Sequence, residues 1–565
     1  MELHWQIKNK YPIEKINAFA SELNSSPILA NVLLNRGIDN LEDARIFFKP
    51  DLNNLHDPFA MSDMHKAVER IEQAVVRSQK VLIYGDYDVD GTTATSMLLR
   101  FLKRLNVQVE FYVPDRLLEG YGLSELGIKN AQKNSIDLII TVDCGITANR
   151  EIALAGQLGM DVIVCDHHQP GAELPQALAI LNPKKSDCPY PFKELAGVGV
   201  AFKLIQALQK QLNLDPEILQ NFFGHVALGS AADIVPLVDE NRIFVKFGLE
   251  NMGTTDNVGI RALLDSVGLN KKNIGTGQVV FMIAPRINAV GRMGDAGRAV
   301  RLLTTENEQQ AKNIATILEA ENRHRRNVDE ETFEQAIALI ESKYDAENDR
   351  VFVLNQDGWH PGVIGIVASR IVEKFYRPTI MIATEDGKGK GSARSIPGFD
   401  IYQALNACKH LMLDFGGHKY AAGLTIDIEK ITLFRETFAR IAADVLTEEM
   451  LMPKLIIDAE VELNEINSEL LKILNKMAPF GPQNMRPVFL TRKLEVVGTP
   501  GIVGKNHLKF KVRQNGVVMD AIGFNLGELL YRISAGEKNV EMVYTIDENE
   551  WQGRSTIQLR VKDLR

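Results

Sequence analysis

The sequence has few of the features that mark secreted, membrane or zinc-binding proteins. Its 565 residues include only four cysteines, and no two of them have CxxC spacing. A disulfide framework and a structural zinc site are therefore not expected. No apolar run is long enough to span a membrane, and the first residues lack the apolar segment of a signal peptide. These absences predict a soluble protein of the reducing cytoplasm.

The chain also lacks an excess of positive charge. Its 64 lysine and arginine residues are outnumbered by 73 aspartate and glutamate residues, which gives a net charge of −9. Nucleic-acid binding needs positive potential at the contact surface, so this balance argues weakly against such a partner. Local basic segments at 321–326, 388–394 and 505–511 could still line a groove. A solvated charged surface explains each of them equally well.

The sequence does contain a series of short apolar runs that end in carboxylates or imidazoles. The runs at 81–84, 138–142 and 162–165 each read as a buried strand, and a fourth apolar segment precedes Asp233. Because the carboxyl ends of parallel strands share one crevice, we expect the polar residues after them to converge. Carboxylate oxygens mixed with imidazole nitrogen suit manganese or magnesium better than zinc. The pattern predicts a two-metal phosphoesterase site built from Asp86, Asp88, Asp90, Asp143, Asp166, His167, His168 and Asp233.

Each cluster has a simpler explanation when it is taken alone. The DxDxDG run at 86–91 is typical of a surface turn. An EF-hand loop is disfavoured because no glutamate occupies the twelfth position. Exposed loop residues would explain His167 and His168, but two adjacent histidines after an apolar strand cannot both point into a core. The clusters together favour the metal site.

The order of the predicted elements indicates an α/β protein of several domains. Strand-like and helical segments alternate from about 65 to 235, as in βαβ units. A stretch from Glu306 to Ile340 without glycine or proline reads as one long helix. We therefore predict two α/β lobes joined by a long helix, followed by an OB-type β-barrel. The predicted divisions are an N-terminal extension at 1–64, a catalytic domain at 65–235, a helical region at 236–345, a second α/β domain at 346–452 and a nucleic-acid-binding barrel at 453–565.

Four motifs, in this order, resemble those of the DHH phosphoesterase superfamily: GDYDVDG at 85–91, VDCG at 142–145, DHH at 166–168 and GSAADIVPL at 229–237. The motifs IAPRINAVGR at 283–292, GGHKYAAG at 416–423 and PFGPQN at 479–484 resemble the exonuclease branch with a DHHA1 domain and an oligonucleotide-binding barrel. The resemblance implies a metal-dependent exonuclease that degrades single-stranded DNA from 5′ to 3′. Such an enzyme releases 5′-mononucleotides in recombination and mismatch repair.

The resemblance also implies roles for individual residues. It makes Asp143 a ligand that bridges two Mn2+ or Mg2+ ions, places His168 at the scissile phosphate and lets Asp166 orient a histidine. Two cations roughly 3.5–4 Å apart would activate a water for in-line attack. Some relatives have a histidine where this chain has Tyr84, which leaves the ligand at that position open. The implied metal ligands are Asp86, Asp88, Asp90, Asp143, His167 and Asp233, and the implied substrate-binding residues are Arg116, Arg286, Ser392, Arg394 and His418.

The resemblance further implies partners, and two other functions stay open. Single-stranded DNA with a 5′-phosphate, a single-strand-binding protein and a RecQ-type helicase are the expected partners, with no membrane involved. A DHH hydrolase of short oligonucleotides or cyclic dinucleotides is one alternative, but such relatives generally lack the C-terminal barrel. An inactive DNA-binding scaffold is another, although the expected ligands are all present. DNA contacts are expected from Arg323, Arg325 and Arg326 and from Lys505, His507, Lys509 and Lys511, for which a plain polar surface is the alternative.

Overall fold

The structure is a computed structural model that describes residues 3–8, 11–116, 118–269, 273–345, 348–551 and 554–565. The chain divides into two compact units. One consists of His56–Val235 and Asp239–Met452, and the other of Glu2–Leu55, Pro236–Val238 and Pro453–Arg565. The five-part division predicted from the sequence stays a prediction. None of the described helices is both long and apolar enough to cross a bilayer.

The first part of the chain forms one strand and three helices that belong to the second unit. Side chains cap two of the helices: Ser26 accepts a hydrogen bond from the Leu29 amide, and Asn40 accepts one from the Asp43 amide. Phe19 is buried in the core that this segment shares with residues after 453. The elements are β1 (His4–Ile7), α1 (Ile13–Glu22), α2 (Pro27–Leu34) and α3 (Leu41–Phe48).

Residues 64–232 alternate between helices and strands, as the sequence predicts. Five strands form a parallel sheet in the order β3-β2-β4-β5-β6. The strand Leu138–Val142 is buried along its whole length, because a parallel sheet is covered on both faces. The elements are α4 (Met64–Val76), β2 (Lys80–Gly85), α5 (Val89–Arg104), β3 (Gln108–Tyr112), α6 (Glu125–Lys133), β4 (Leu138–Val142), α7 (Asn149–Gln157), β5 (Asp161–Cys165), β6 (Ala179–Leu181), α8 (Gly197–Gln211) and α9 (Phe223–Ala232).

A helical region follows and ends in a helix of 36 residues, which confirms the predicted connecting helix. Asn307 caps this long helix by accepting a hydrogen bond from the Gln310 amide. A π-helical turn at Val279–Ile283 precedes the helix that carries the APRINA motif. The elements are α10 (Asp239–Met252), α11 (Val258–Ser266), α12 (Thr276–Gln278), α13 (Ala284–Met293), α14 (Gly297–Thr304) and α15 (Glu308–Lys343).

The second α/β lobe is built on a mixed sheet in the order β10-β11-β9-β8-β7. Strands β7 and β8 pair in parallel, and all the other neighbours in this sheet pair antiparallel. Both this sheet and the parallel one confirm the predicted α/β class. The elements are β7 (Phe352–Asp357), α16 (Ile364–Phe375), β8 (Thr379–Glu385), β9 (Lys388–Arg394), α17 (Ile401–Ala407), β10 (Asp414–His418), β11 (Ala421–Asp427) and α18 (Ile431–Val445).

The C-terminal segment forms a closed five-stranded barrel, as predicted. From its sequence pattern, Lys454 to Val461 is predicted as one strand of this barrel. That prediction is wrong, because the segment splits into two strands with different partners. Lys454–Ile457 pairs with β1, and Ala459–Glu460 pairs with the first barrel strand. The elements are β12 (Lys454–Ile457), β13 (Ala459–Glu460), α19 (Ser468–Lys476), β14 (Phe489–Val503), β15 (His507–Gln514), β16 (Val517–Gly523), β17 (Lys538–Trp551) and β18 (Arg554–Leu564). The ring closes through β14–β15–β16–β18–β17 and back to β14.

Candidate active site

The carboxyl edge of the parallel sheet gathers the polar clusters. Asp86 follows β2, Asp143 follows β4 and Asp166 follows β5. Because these strands are adjacent and parallel, the three residues lie side by side at one edge. Asp233 reaches the same place from the end of α9. The sequence analysis correctly expected these side chains to converge.

Three sets of side chains at this edge could each hold a metal ion, with ligand atoms within 4.8 Å of one another. His167 lies among them: its Nε2 is 3.1 Å from Asp143 Oδ1, 3.6 Å from Asp233 Oδ2 and 3.8 Å from Asp90 Oδ2. Asp143 and His167 each belong to two of the sets. The sets are Asp86–Asp88–Asp143, Asp90–His167–Asp233 and Asp143–His167–His168.

Tight backbone geometry shapes the acidic turn after β2. Asp88 caps α5 by accepting a hydrogen bond from the Gly91 amide at 3.0 Å. Gly91 must be glycine, because a Cβ there would lie only 2.7 Å from the backbone oxygen of Asp86. Asp143 has a φ of +60°, in the left-handed region that aspartate tolerates better than most residues. The backbone conformation therefore fixes the positions from which the aspartate side chains project.

Three buried polar atoms at the centre have no hydrogen-bond partner among the residues that the structure describes. They are Asp86 Oδ1, Asp143 Oδ1 and Nε2 of His167. An unpaired buried polar atom costs about 1–3 kcal/mol, and a ligand that these atoms coordinate would remove that cost. Carboxylate oxygens with an imidazole nitrogen form a donor set that Mn2+ and Mg2+ accept. The residues present fit a pair of divalent cations.

The crowded carboxylates repel one another. Burial raises the pKa of Asp143 well above its ordinary value, and the charges of Asp90 and Asp88 raise it further. Burial and then Asp88 also raise the pKa of Asp86. The pKa of Asp90 rises to about 7 through burial and Asp88, against two backbone hydrogen bonds that lower it. Bound cations would remove this repulsion.

The two histidines of the DHH motif have different environments. His167 is 7% exposed, and burial followed by the charge of His168 lowers its pKa to about 3. His167 is therefore neutral at physiological pH, as a metal ligand must be. His168 donates from Nδ1 to Asp166 Oδ1 at 2.8 Å. Burial lowers the pKa of His168, but this hydrogen bond and the charge of Asp166 outweigh it and raise the pKa overall.

Tyr84 occupies the position where some DHH relatives have a histidine, and its hydroxyl has other contacts. It accepts a hydrogen bond from the Ser124 amide at 3.1 Å and lies 3.4 Å from the Gly122 carbonyl oxygen. Asp86, by contrast, lies with Asp88 and Asp143 in one of the possible metal sets. The carboxylate of Asp86 is therefore better placed than the phenol to complete that set.

Three arginines, one each from the parallel-sheet lobe, helix α13 and the second lobe, are near enough to repel one another beside the acidic centre. The Arg116 guanidinium lies 5.0 Å from the centroid of the Tyr87 ring, and its charge acts on Asp86. Burial, followed by the charges of Arg116 and Arg394, lowers the pKa of Arg292 to about 10. Burial and the charge of Arg116 also lower the pKa of Arg394. We call Arg116, Arg292 and Arg394 the arginine pocket.

Two of the three guanidinium groups have no carboxylate partner in the described part of the chain. Among the residues that the structure describes, no carboxylate pairs with Arg292 or Arg394. Arg394 donates to Ser392 Oγ at 3.0 Å. The first turn of α16, which contains Gly365, lies against both side chains. A Cβ built on Gly365 would be only 2.8 Å from Ser392 Oγ. Unpaired guanidinium groups, a hydroxyl and the positive end of a helix together suit a phosphate.

Two predicted substrate residues lie elsewhere. Arg286 lies with its Nη2 2.6 Å from Glu319 Oε2 on α15 and also donates to the Met282 carbonyl. It is six residues from Arg292 on α13, which places the two about 120° apart around the helix. His418 ends β10 and is exposed, two strands from Arg394 in the same sheet.

The structure therefore brings together Arg116, Ser392 and Arg394 from the predicted substrate set. Sequence reasoning missed Arg292, although the quoted APRINAVGR motif contains it. It also missed the amides of Gly197 and Val198, which donate to Asp90 at 2.6 and 2.9 Å. Backbone donors leave no signature in side-chain patterns.

The barrel carries a basic and aromatic surface of its own. Phe524 is 43% exposed, with the His507 ring edge-on against it at 5.1 Å. The Arg560 guanidinium lies 4.8 Å from the Phe524 ring centroid. Lys509 and Lys511 are exposed on β15. Aromatic faces with nearby cations are typical of surfaces that stack bases and hold phosphates.

Three family models match successive parts of the chain. The DHH family, N-terminal domain, matches residues 80–230, and the DHHA1 domain matches residues 348–444. The RecJ OB domain matches residues 457–563. These matches cover the parallel sheet, the second lobe and the barrel.

Curated relatives and a solved structure match over most or all of the chain. Single-stranded-DNA-specific exonuclease RecJ of Bacillus subtilis is 40% identical, and the match covers 100% of this chain and 71% of that protein. The protein of the same name from Escherichia coli is 34% identical, over 95% of this chain and 96% of its own length. The crystal structure of RecJ in complex with Mn2+ from Thermus thermophilus matches with a TM-score of 0.86 at 29% identity, covering 100% of this chain and 79% of that one.

Proposed function

The chain belongs to the RecJ family of single-stranded-DNA-specific exonucleases, and we infer from this membership that it hydrolyses single-stranded DNA with Mn2+ or Mg2+ as cofactor. The observation that carries the inference is a buried centre of carboxylates and histidine with unpaired ligand atoms, at the edge of a DHH-type sheet. We propose that the enzyme works from the 5′ end and releases 5′-mononucleotides.

The proposed metal ligands are Asp86, Asp88, Asp90, Asp143, His167 and Asp233. A pair of divalent cations held there would supply an activated water and neutralise charge on the phosphate oxygens. Asp143 would hold both ions through its two oxygens. Asp166 keeps the His168 ring in place, and the raised pKa of His168 lets it donate a hydrogen bond to the scissile phosphate.

We propose that the arginine pocket, with Ser392, binds the terminal 5′-phosphate. The guanidinium groups of Arg292 and Arg394, which have no carboxylate partner among the described residues, would pair with a dianion together with Arg116. Its binding would relieve the mutual repulsion of the three arginines. Tyr87 adjoins both sites, because its ring centroid lies 5.0 Å from the Arg116 guanidinium and Tyr87 follows Asp86 directly in the chain. A strand held by its terminal phosphate in the pocket would place the next phosphodiester at the acidic centre. That arrangement would release one nucleotide at a time.

The remaining predicted roles are also proposals. Arg286 and His418 stand as substrate-binding residues, although Arg286 is paired with Glu319 in the described structure. We propose that residues 65–235 and 346–452 form the catalytic and DHHA1 domains and that residues 453–565 form a nucleic-acid-binding barrel, with Phe524 as a stacking platform. A single-strand-binding protein and a RecQ-type helicase would supply unpaired substrate in the cytoplasm. The four free, buried cysteines are compatible with that compartment.

Digestion of single-stranded DNA labelled at its 5′ end tests the proposal. With Mn2+ the first labelled product should be a mononucleotide, and with EDTA no label should be released. The same strand in a blunt duplex should resist cleavage. Tight DNA retention without cleavage would favour the scaffold, and cleavage restricted to dinucleotides would favour the small-substrate hydrolase.

A further inference from the structure

Helix α8 begins in direct contact with the acidic centre. Its first two amides, Gly197 N–H and Val198 N–H, donate to Asp90 Oδ2 at 2.6 Å and to Asp90 Oδ1 at 2.9 Å. Both oxygens of the carboxylate are thus fixed by one helix end that lies 107 residues further along the chain. Each oxygen keeps a second lone pair that can face a cation.

The helix has no local substitute for Asp90. Its N-cap residue is Ala196, which offers no side-chain acceptor, and its first turn contains no acidic residue. The first amides of a helix need acceptors from outside, and a carboxylate there also complements the helix dipole. Asp90 therefore caps α8, while α8 sets the orientation of Asp90. The dependence runs in both directions.

Two glycines make this contact possible. A Cβ on Gly197 would lie 2.7 Å from both Cβ and Oδ1 of Asp143. A Cβ on Gly229, in α9, would lie 2.5 Å from Thr93 Oγ1, 2.7 Å from a methyl group of Val198 and 2.8 Å from Asp90 Oδ1. Real Cβ atoms do not approach other atoms this closely, so Gly197→Ala forces Asp143 to move, and Gly229→Ala forces Thr93, the start of α8 and Asp90 to move.

We infer that Gly197, Gly229 and the first two amides of α8 are positioning elements of the metal centre, which hold Asp90 and leave room for Asp143. The inference rests on the proposed function, because it takes both carboxylates as metal ligands. The glycines have no side chain that could bind metal or DNA. They act through the carboxylates. Substitution of either glycine should therefore lower the affinity for metal, and the rate of cleavage should fall as a consequence.

The test compares Gly197→Ala and Gly229→Ala with Gly199→Ala. Gly199 is two residues further along α8, and a Cβ there would meet only the Leu195 side chain, at 3.3 Å or more. Mn2+ binding is measured without DNA, by electron paramagnetic resonance of the free ion during titration. Circular dichroism checks the fold, and cleavage is then measured as a function of Mn2+ concentration.

Gly197→Ala and Gly229→Ala should each bind Mn2+ at least about tenfold more weakly than wild type. Tenfold is the lower end of the loss of metal affinity that follows when a residue supporting a metal ligand is removed. Excess Mn2+ should restore kcat while KM for DNA stays unchanged, which a general loss of stability would not produce. Gly199→Ala should match wild type in both measurements. If Gly197→Ala does not fold, Gly229→Ala decides the question.

Wild-type Mn2+ affinity in a folded Gly197→Ala or Gly229→Ala protein would overturn the inference and leave the proposed function standing. A wild-type protein that binds no Mn2+ would instead refute the proposed function itself. The two failures are therefore distinguishable.

Discussion

The arginine pocket leads to a quantitative prediction about the 5′ end of the substrate. Arg394→Met keeps most of the apolar stem of the side chain and removes the guanidinium. A hydrogen bond to a charged group contributes about 1.5–3 kcal/mol, so kcat/KM on 5′-phosphorylated single-stranded DNA should fall about 10- to 150-fold. On a 5′-hydroxyl strand the same substitution should change kcat/KM very little, because no terminal dianion is present.

The assay is a double-mutant cycle between the protein substitution and removal of the terminal phosphate. Lys388→Met, an exposed cation at the other end of β9, is the matched control and should behave as wild type on both strands. Removing Arg394 should not lower the melting temperature, because it relieves repulsion with Arg116. Equal losses on both strands, or none on either, would refute the assignment of the pocket.

Three further predictions concern the acidic centre and its surroundings. Asp143→Ala should abolish cleavage, even with excess Mn2+, and leave the circular dichroism spectrum unchanged; near-normal turnover by the folded variant would rule out a bridging role. Ile234, which follows Asp233, has a φ of +61° and is 62% exposed. Because the left-handed region costs a β-branched residue about 1–2 kcal/mol, Ile234→Asn should have a higher melting temperature than wild type, and a lower melting temperature would contradict this explanation. Burial and then the charge of Arg100 lower the pKa of His225 from 6.5 to about 3. Below pH 6.5 the unfolded chain binds a proton at His225 that the folded protein does not bind. Between pH 6.5 and 5 the free energy of unfolding of wild type should therefore fall by about 2 kcal/mol relative to that of His225→Gln. Parallel pH profiles of the two urea midpoints would disprove it.

The parallel sheet and the convergence of its acidic edge could be predicted from the sequence. Strands such as β4 are unbroken apolar runs, which is how a strand buried on both faces reads. Polar residues placed directly after such strands have only one edge to occupy. The sequence alone therefore predicts that Asp86, Asp143 and Asp166 lie close together.

The arginine pocket could be predicted only in part. Arg286 and Arg292 share one motif on α13, and their positions about 120° apart mean that packing decides which of them faces the pocket. Local pattern contains no information on that rotation. The pairing of Arg286 with Glu319 on α15 depends on how two helices pack, and it appears only in three dimensions.

Features that depend on long-range pairing were beyond the sequence. The segment 454–461 reads as one strand, but its first half pairs with β1, almost the whole chain away. The capping of α8 by Asp90 joins residues 107 positions apart. Neither contact can be recognised from the local sequence, because each depends on a partner that is distant in the chain.

Anomalous scattering from crystals grown with Mn2+ tests the central claim most directly. Two peaks should appear in the hollow lined by Asp86, Asp143 and His167, with Asp143 contacting both. A hollow without anomalous density, or a single ion that Asp143 does not touch, would contradict the account of how this enzyme cleaves DNA.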